Sequence, residues 1–139
     1  MLAERLHLTL QSIAAFEETL PMAVVDAVRS AAGSVRSRSF SVSFDQLTNH
    51  RSTDACVLLC ASPSKEAMLG LNKQLGRLLR HRGLRPKASS PHLTIFHDPR
   101  REEAKCAVGP VHCEVTSFSL IVSHHGRTVH EVIGTWRLD

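Results

Sequence analysis

Alternation of apolar and polar positions opens the chain. In Leu6-His7-Leu8-Thr9-Leu10 the leucines recur at every second residue, the period of a half-buried strand. The pattern predicts a strand over residues 6–11, with the leucines facing a core and His7, Thr9 and Gln11 on the opposite face. A helix is expected over residues 21–32, where Pro21 suits a first helical position and Gly33 a stop. Period two returns over residues 38–47, with Phe40, Val42 and Phe44 alternating with serines. Residues 48–54 are polar and read as a loop. Residues 55–61 are continuously apolar, as in a strand buried on both faces. Ser62-Pro63 reads as an N-cap followed by proline at the first helical position. The helix it opens carries Met68, Leu71, Leu75, Leu78 and Leu79 on one face and Lys73, Arg77 and Arg80 on the other, and stops at Gly83. A basic connector, residues 84–90, leads into a strand over residues 91–97 that Asp98-Pro99 ends. A charged loop to Pro110 precedes two closing strands, residues 111–123 and 128–138, with a hairpin turn at His125-Gly126. The order is strand, helix, strand, strand, helix, strand, strand, strand. That order indicates an α+β fold with mostly antiparallel sheet.

Composition narrows this picture only slightly. A chain of 139 residues, 42% hydrophobic and 22% charged, fits a single domain, residues 1–139, with a real core. It contains no apolar run near the roughly 20 residues of a membrane helix, and its first residues lack the layout of a secretory signal. The expectation is a cytoplasmic protein that does not engage a membrane. A net charge of +4 favours anionic partners without naming one. Tyrosine is absent and aromatics make up 4%, so no stacking platform for single strands stands out. Cys56 and Cys60, four residues apart on one strand, are separated by about 13 Å, too far for one bridge or one metal. Cys106 and Cys113 lack the spacing of a zinc site. Buried or inert thiols are expected, with no metal.

The candidate chemistry lies in a repetition. Pro91-His92-Leu93-Thr94-Ile95 restates His7-Leu8-Thr9-Leu10 as His, apolar, Thr, apolar. With 9 histidines in the chain, chance expects only about a tenth of one copy. Each motif puts an imidazole and a hydroxyl side by side on one strand face. Displacement at phosphorus needs one proton removed from the nucleophile and one given to the leaving oxygen, and two imidazoles do both. Thr9 and Thr94 can donate to the non-bridging oxygens, where charge accumulates.

The doubled motif resembles the signature of the two-histidine (2H) phosphoesterase superfamily, and the LigT-like, bacterial 2′–5′ RNA ligase-like branch in particular. Pro91, the amphipathic helix before it and the closing Phe118-Ser119-Leu120-Ile121 and Gly134-Thr135-Trp136-Arg137-Leu138 add to the likeness. The resemblance implies two pseudo-symmetric lobes of mostly antiparallel sheet, with helices outside and a central cleft. It implies hydrolysis of 2′,3′-cyclic phosphates on RNA ends or nucleotides to the 2′-phosphate, without cofactor or metal, and in some members 2′–5′ RNA ligase chemistry. His7 and His92 would be catalytic, with His7 as acid and His92 as base or the reverse. Thr9 and Thr94 would bind phosphate, and Gln11 and Phe96, by strand parity, could touch substrate. Members of the family usually carry a strand and a helix ahead of the first motif, whereas here His7 has six residues before it. The expectation is a lobe with an open edge, covered by chain upstream or by another copy in a homo-oligomer. The competing readings are a non-catalytic nucleotide- or RNA-binding module that keeps the cleft, and a His/Cys metal protein. His97, His112, His124, His125 and His130 fall outside the motifs and are read as unrelated. The cations on the long helix could attract an RNA backbone or simply be solvated.

Overall fold

In the computed structural model the chain runs β1 (Gln11–Ser12), α1 (Met22–Gly33), β2 (Phe40–Asn49), β3 (Ala55–Cys60), α2 (Ser62–His81), β4 (Lys87–Ala88), β5 (His92–His97), β6 (Lys105–Val115), β7 (Ser117–His124) and β8 (Val129–Arg137). The structure describes residues 6–49, 55–97, 105–124 and 129–139. The loop and turn expected at 50–54, 98–104 and His125-Gly126 lie outside them. A four-stranded antiparallel sheet is ordered β5-β3-β2-β6, and two antiparallel pairs, β1-β4 and β7-β8, complete the α+β fold. No helix among the described residues is long and apolar enough to cross a membrane.

Two apolar cores hold these pieces. One gathers Val42, Phe44, Leu58 and Met68, so the sheet packs its inner face on the first half of α2. The other gathers Val28, Ala31, Leu75 and Leu79, with Phe118 and Leu120 of β7 packed on it. The second half of α2 therefore meets α1 and the β7-β8 pair. Leu79 is fully buried, and deleting such a side chain typically costs about 2–5 kcal/mol. Phe118 stacks on Trp136 with ring centroids 5.7 Å apart. Gly134 makes room for that ring, since a β-carbon there would come within 2.6 Å of it.

α2 ends where the sequence indicates. Gly83 has φ +80°, Leu84 N–H donates to the Leu79 carbonyl at 3.2 Å and Gly83 N–H to that of Arg80 at 3.0 Å. These are the two bonds of a Schellman stop, which needs a left-handed residue that glycine supplies without strain. The start differs by one residue. Ala61, not Ser62, is the N-cap, while the Ser64 hydroxyl accepts the Ser43 N–H of β2 at 2.7 Å and ties helix to sheet.

Other departures concern strand limits. The alternating segment at 6–11 is irregular, with one antiparallel bridge at Leu8 followed by the two-residue β1. β2 continues through Thr48 and Asn49, and residues 105–110 are strand rather than loop. The expected single strand 111–123 breaks at Thr116 into β6 and β7, which belong to different sheets. Leu138 N–H, donating to the Thr116 carbonyl at 2.8 Å, anchors the chain's end at that crossing.

Candidate active site

The two motifs lie side by side. Leu8 bridges Leu93 in antiparallel sense. In an antiparallel pair that register sets His7 across from Thr94 and Thr9 across from His92. Leu8 and Leu93 pack on the core of Val42, Phe44, Leu58 and Met68. Strand alternation then turns His7, Thr9, His92 and Thr94 to the other face. By register each histidine position lies across from the threonine position of the opposite motif.

Neighbouring strands extend this face. Leu59 pairs with His92 and Val57 with Thr94 on β3, and Gln46 pairs with Leu59 and Thr48 with Val57 on β2. Gln46 and Thr48 reach it through a β-bulge between Phe44 and Gln46. The extra residue, Asp45, reverses parity, so that Phe44 and then Leu47 both pack inward. Counting by twos from Phe40 would have sent Gln46 to the core.

His92 is held by its own approach segment. Its Nδ1 lies 2.8 Å from the Ser90 carbonyl oxygen. A carbonyl only accepts, so Nδ1–H is the donor, and in the neutral ring Nε2 is the atom that can take a proton. The buried Pro91 sits between the two and restricts Ser90 to extended backbone. His7 is exposed and packs edge-to-face on His130 of β8, with centroids 4.9 Å apart and planes at 78°. His130 pairs with Ser123 at the start of β8. Nothing in its local sequence marks it, since the contact joins opposite ends of the chain.

The structure places Gln11 against α2 and Phe96 near the end of β5. The Gln11 Nε2 group donates to the Asn72 carbonyl of α2 at 3.1 Å and also meets the Asn72 side-chain oxygen. Between the Leu8 bridge and the pairing of Gln11 with Ala88 the register moves by two residues. This leaves the alternation of residues 7–11 in place, since Leu8 and Leu10 both pack on the sheet core. The side chain links strand to helix. Phe96 pairs with Cys56 while Thr94 pairs with Val57, because an irregularity intervenes. Ile95 packs with Leu93 on the sheet core, and Phe96 is 41% exposed.

Two histidines outside the motifs, His112 and His124, make contacts across strands. His112 Nδ1 lies 2.8 Å from the Ser43 hydroxyl across the β2-β6 pair, and His124 Nε2 lies 3.3 Å from a Glu131 carboxylate oxygen. Lys73, Arg77 and Arg80 are exposed on α2, which covers the core face of the sheet, so their charge is not directed at the His-Thr face. Burial pushes the Cys60 thiol up from its ordinary range, with Cys113 and Asp45 adding to the rise and Lys65 opposing it.

A cavity of about 710 Å³ lies beside the first motif, between the segment from His7 to Glu17, α1 and β7-β8. Its walls include His7, Thr9 and His130 but neither His92 nor Thr94. The cavity therefore borders the first motif alone.

Comparison with known proteins bears on the family and the fold. Residues 1–127 match the family model described as the 2′-5′ RNA ligase superfamily. The chain is similar in fold to E. coli LigT in its apo form, with 22% identity and a TM-score of 0.73 over 99% of this chain and 78% of that one. It is similar to E. coli LigT complexed with 3′-AMP at 22% identity and TM-score 0.72, over 99% and 79%. The protein TT0787 of Thermus thermophilus aligns at 16% identity and TM-score 0.71, over 96% and 78%. A comparison with curated proteins gave no match. A family model spanning most of the sequence, together with this fold, establishes that the chain belongs to the 2′–5′ RNA ligase superfamily.

Proposed function

We propose that the protein is a phosphoric diester hydrolase that opens 2′,3′-cyclic phosphates on RNA ends or nucleotides to the 2′-phosphate, using its own side chains without a metal. The observation that carries this reading is the Leu8–Leu93 bridge, which aligns each histidine with the threonine of the other motif. Support also comes from LigT, a structure of which holds 3′-AMP, a nucleotide of the size this face would take.

In the proposed reaction His92 Nε2 takes a proton from water as its oxygen bonds to phosphorus. The bond from phosphorus to O3′ breaks, and His7 gives its proton to O3′. Thr9 and Thr94 donate hydrogen bonds to the non-bridging oxygens, whose negative charge grows in the transition state. A 5′-hydroxyl in place of water would give a 2′–5′ linkage, with the same bond from phosphorus to O3′ broken and the same proton given to O3′. The Ser90 carbonyl suits His92 to the role of base, because it fixes the tautomer with Nε2 as the basic atom.

The test is turnover of 2′,3′-cyclic nucleotides in the presence of a chelator, with the position of the product phosphate determined. His7→Ala and His92→Ala should each lower kcat by about 10²–10⁴, each Thr→Ala change by less, and the pH profile should be bell-shaped. Normal turnover by the double histidine variant would overturn the mechanism. Nucleotide binding without turnover by the unaltered protein would identify a binding module instead.

We further propose that copies self-associate through the β7-β8 pair. Among the described residues these strands pair only with each other, and Ile121, Val129 and Val132 are exposed on them.

A further inference from the structure

We infer that His130 is a positioning residue for His7, holding the imidazole of the first motif at the angle that proton transfer requires. The inference rests on the phosphodiesterase reading above and adds to it a residue from the opposite end of the chain. The torsion that turns an imidazole about its bond to Cβ is broad, with two shallow preferences, so the direction of its nitrogens depends on what the ring touches. At the second motif the Ser90 carbonyl supplies that direction to His92. At the first motif the backbone is irregular, paired at Leu8 by a single bridge, and the ring of His7 stands nearly perpendicular to that of His130. An edge-to-face contact places the electropositive rim of one ring on the electron-rich face of the other, and it is lost when either ring rotates. His130 is itself well placed to act as a wall. It lies in the β7-β8 ladder, and the adjacent Glu131 reaches across to His124 at 3.3 Å, which ties that end of the hairpin. A carbonyl contact thus helps to orient His92 and a ring contact helps to orient His7.

A misplaced acid slows chemistry more than it weakens binding, and errors near 1 Å can cost about 100-fold. The experiment compares unaltered protein, His130→Ala and His130→Phe with a 2′,3′-cyclic nucleotide. His130→Ala should lower kcat about tenfold with KM unchanged within about twofold, and His130→Phe, which keeps a flat ring, should recover most of the loss. Unchanged kcat in His130→Ala, or equal impairment in both variants, would overturn the inference. If the unaltered protein turns over no cyclic nucleotide, the phosphodiesterase reading fails on its own. The His7–His130 contact is then read from the imidazole C–H signals by NMR. His130→Ala should move the signals of His7 through loss of the ring current and leave those of His92 in place, and unmoved His7 signals would refute the contact.

Discussion

His7 and His92 carry matching motifs in sequence, yet the structure treats them differently. His92 is half-buried on β5, and His7 is exposed on a segment joined by an isolated bridge. Their motifs were legible because alternation records a face directly, and no intervening residue disturbs it between His and Thr. The facing of Gln46 was not legible for the converse reason, since it lies beyond the bulge at Asp45, and parity counted along a strand holds only while pairing is regular. His130 was not legible at all, because a contact between strands so far apart in sequence leaves no local mark. Cys60 offers a prediction at this scale. Burial, with Cys113 and Asp45, raises its thiol above the ordinary value of 9.0. The folded protein then keeps that proton to higher pH than the unfolded chain does. Its contribution to stability is whole below about pH 9 and is lost as pH rises through the raised value. Cys60→Ser, which has no thiol to titrate, should lose less stability than the unaltered protein between about pH 8 and about pH 10.5. Denaturant midpoints across that range would measure it.

At the scale of elements, the helices were read closely and the strands less so. α1 and α2 carry their own stop and start signals, with apolar residues at helical spacing. Strand limits depend on partners, and partners are set by the whole fold. Residues 105–110 read as the tail of a charged loop, yet they lie in a strand that pairs with β2, which supplies an edge that their own sequence does not announce. The bulge at Asp45 is of the same kind, since it reconciles two pairings at once. Gly83 is the contrary case, a local rule fully visible in sequence. Gly83→Ala should cost about 1 kcal/mol, because alanine resists φ +80°, while no atom crowds the added methyl. Thermal or denaturant unfolding would show it, and an unchanged midpoint would mean that the stop relaxes without strain.

For the whole molecule, the α+β class and the antiparallel sheet were legible from element order, whereas the division into three pairing groups was not. Thr116 is where the chain leaves one group for another, and no glycine or proline marks the spot. The open β7-β8 pair makes association testable in solution. Elution on a sizing column should move toward a larger species over a roughly hundredfold rise in concentration, and Val132→Lys should reverse that shift by placing charge in an apolar contact. A constant monomer profile would argue against the proposal. One further consequence belongs to α2. Met68 serves the sheet core while Leu75 and Leu79 serve the other, so a single rigid rod is common property of both halves. A loosened side chain in either half disturbs the beam on which the other rests, so the two cores share one girder.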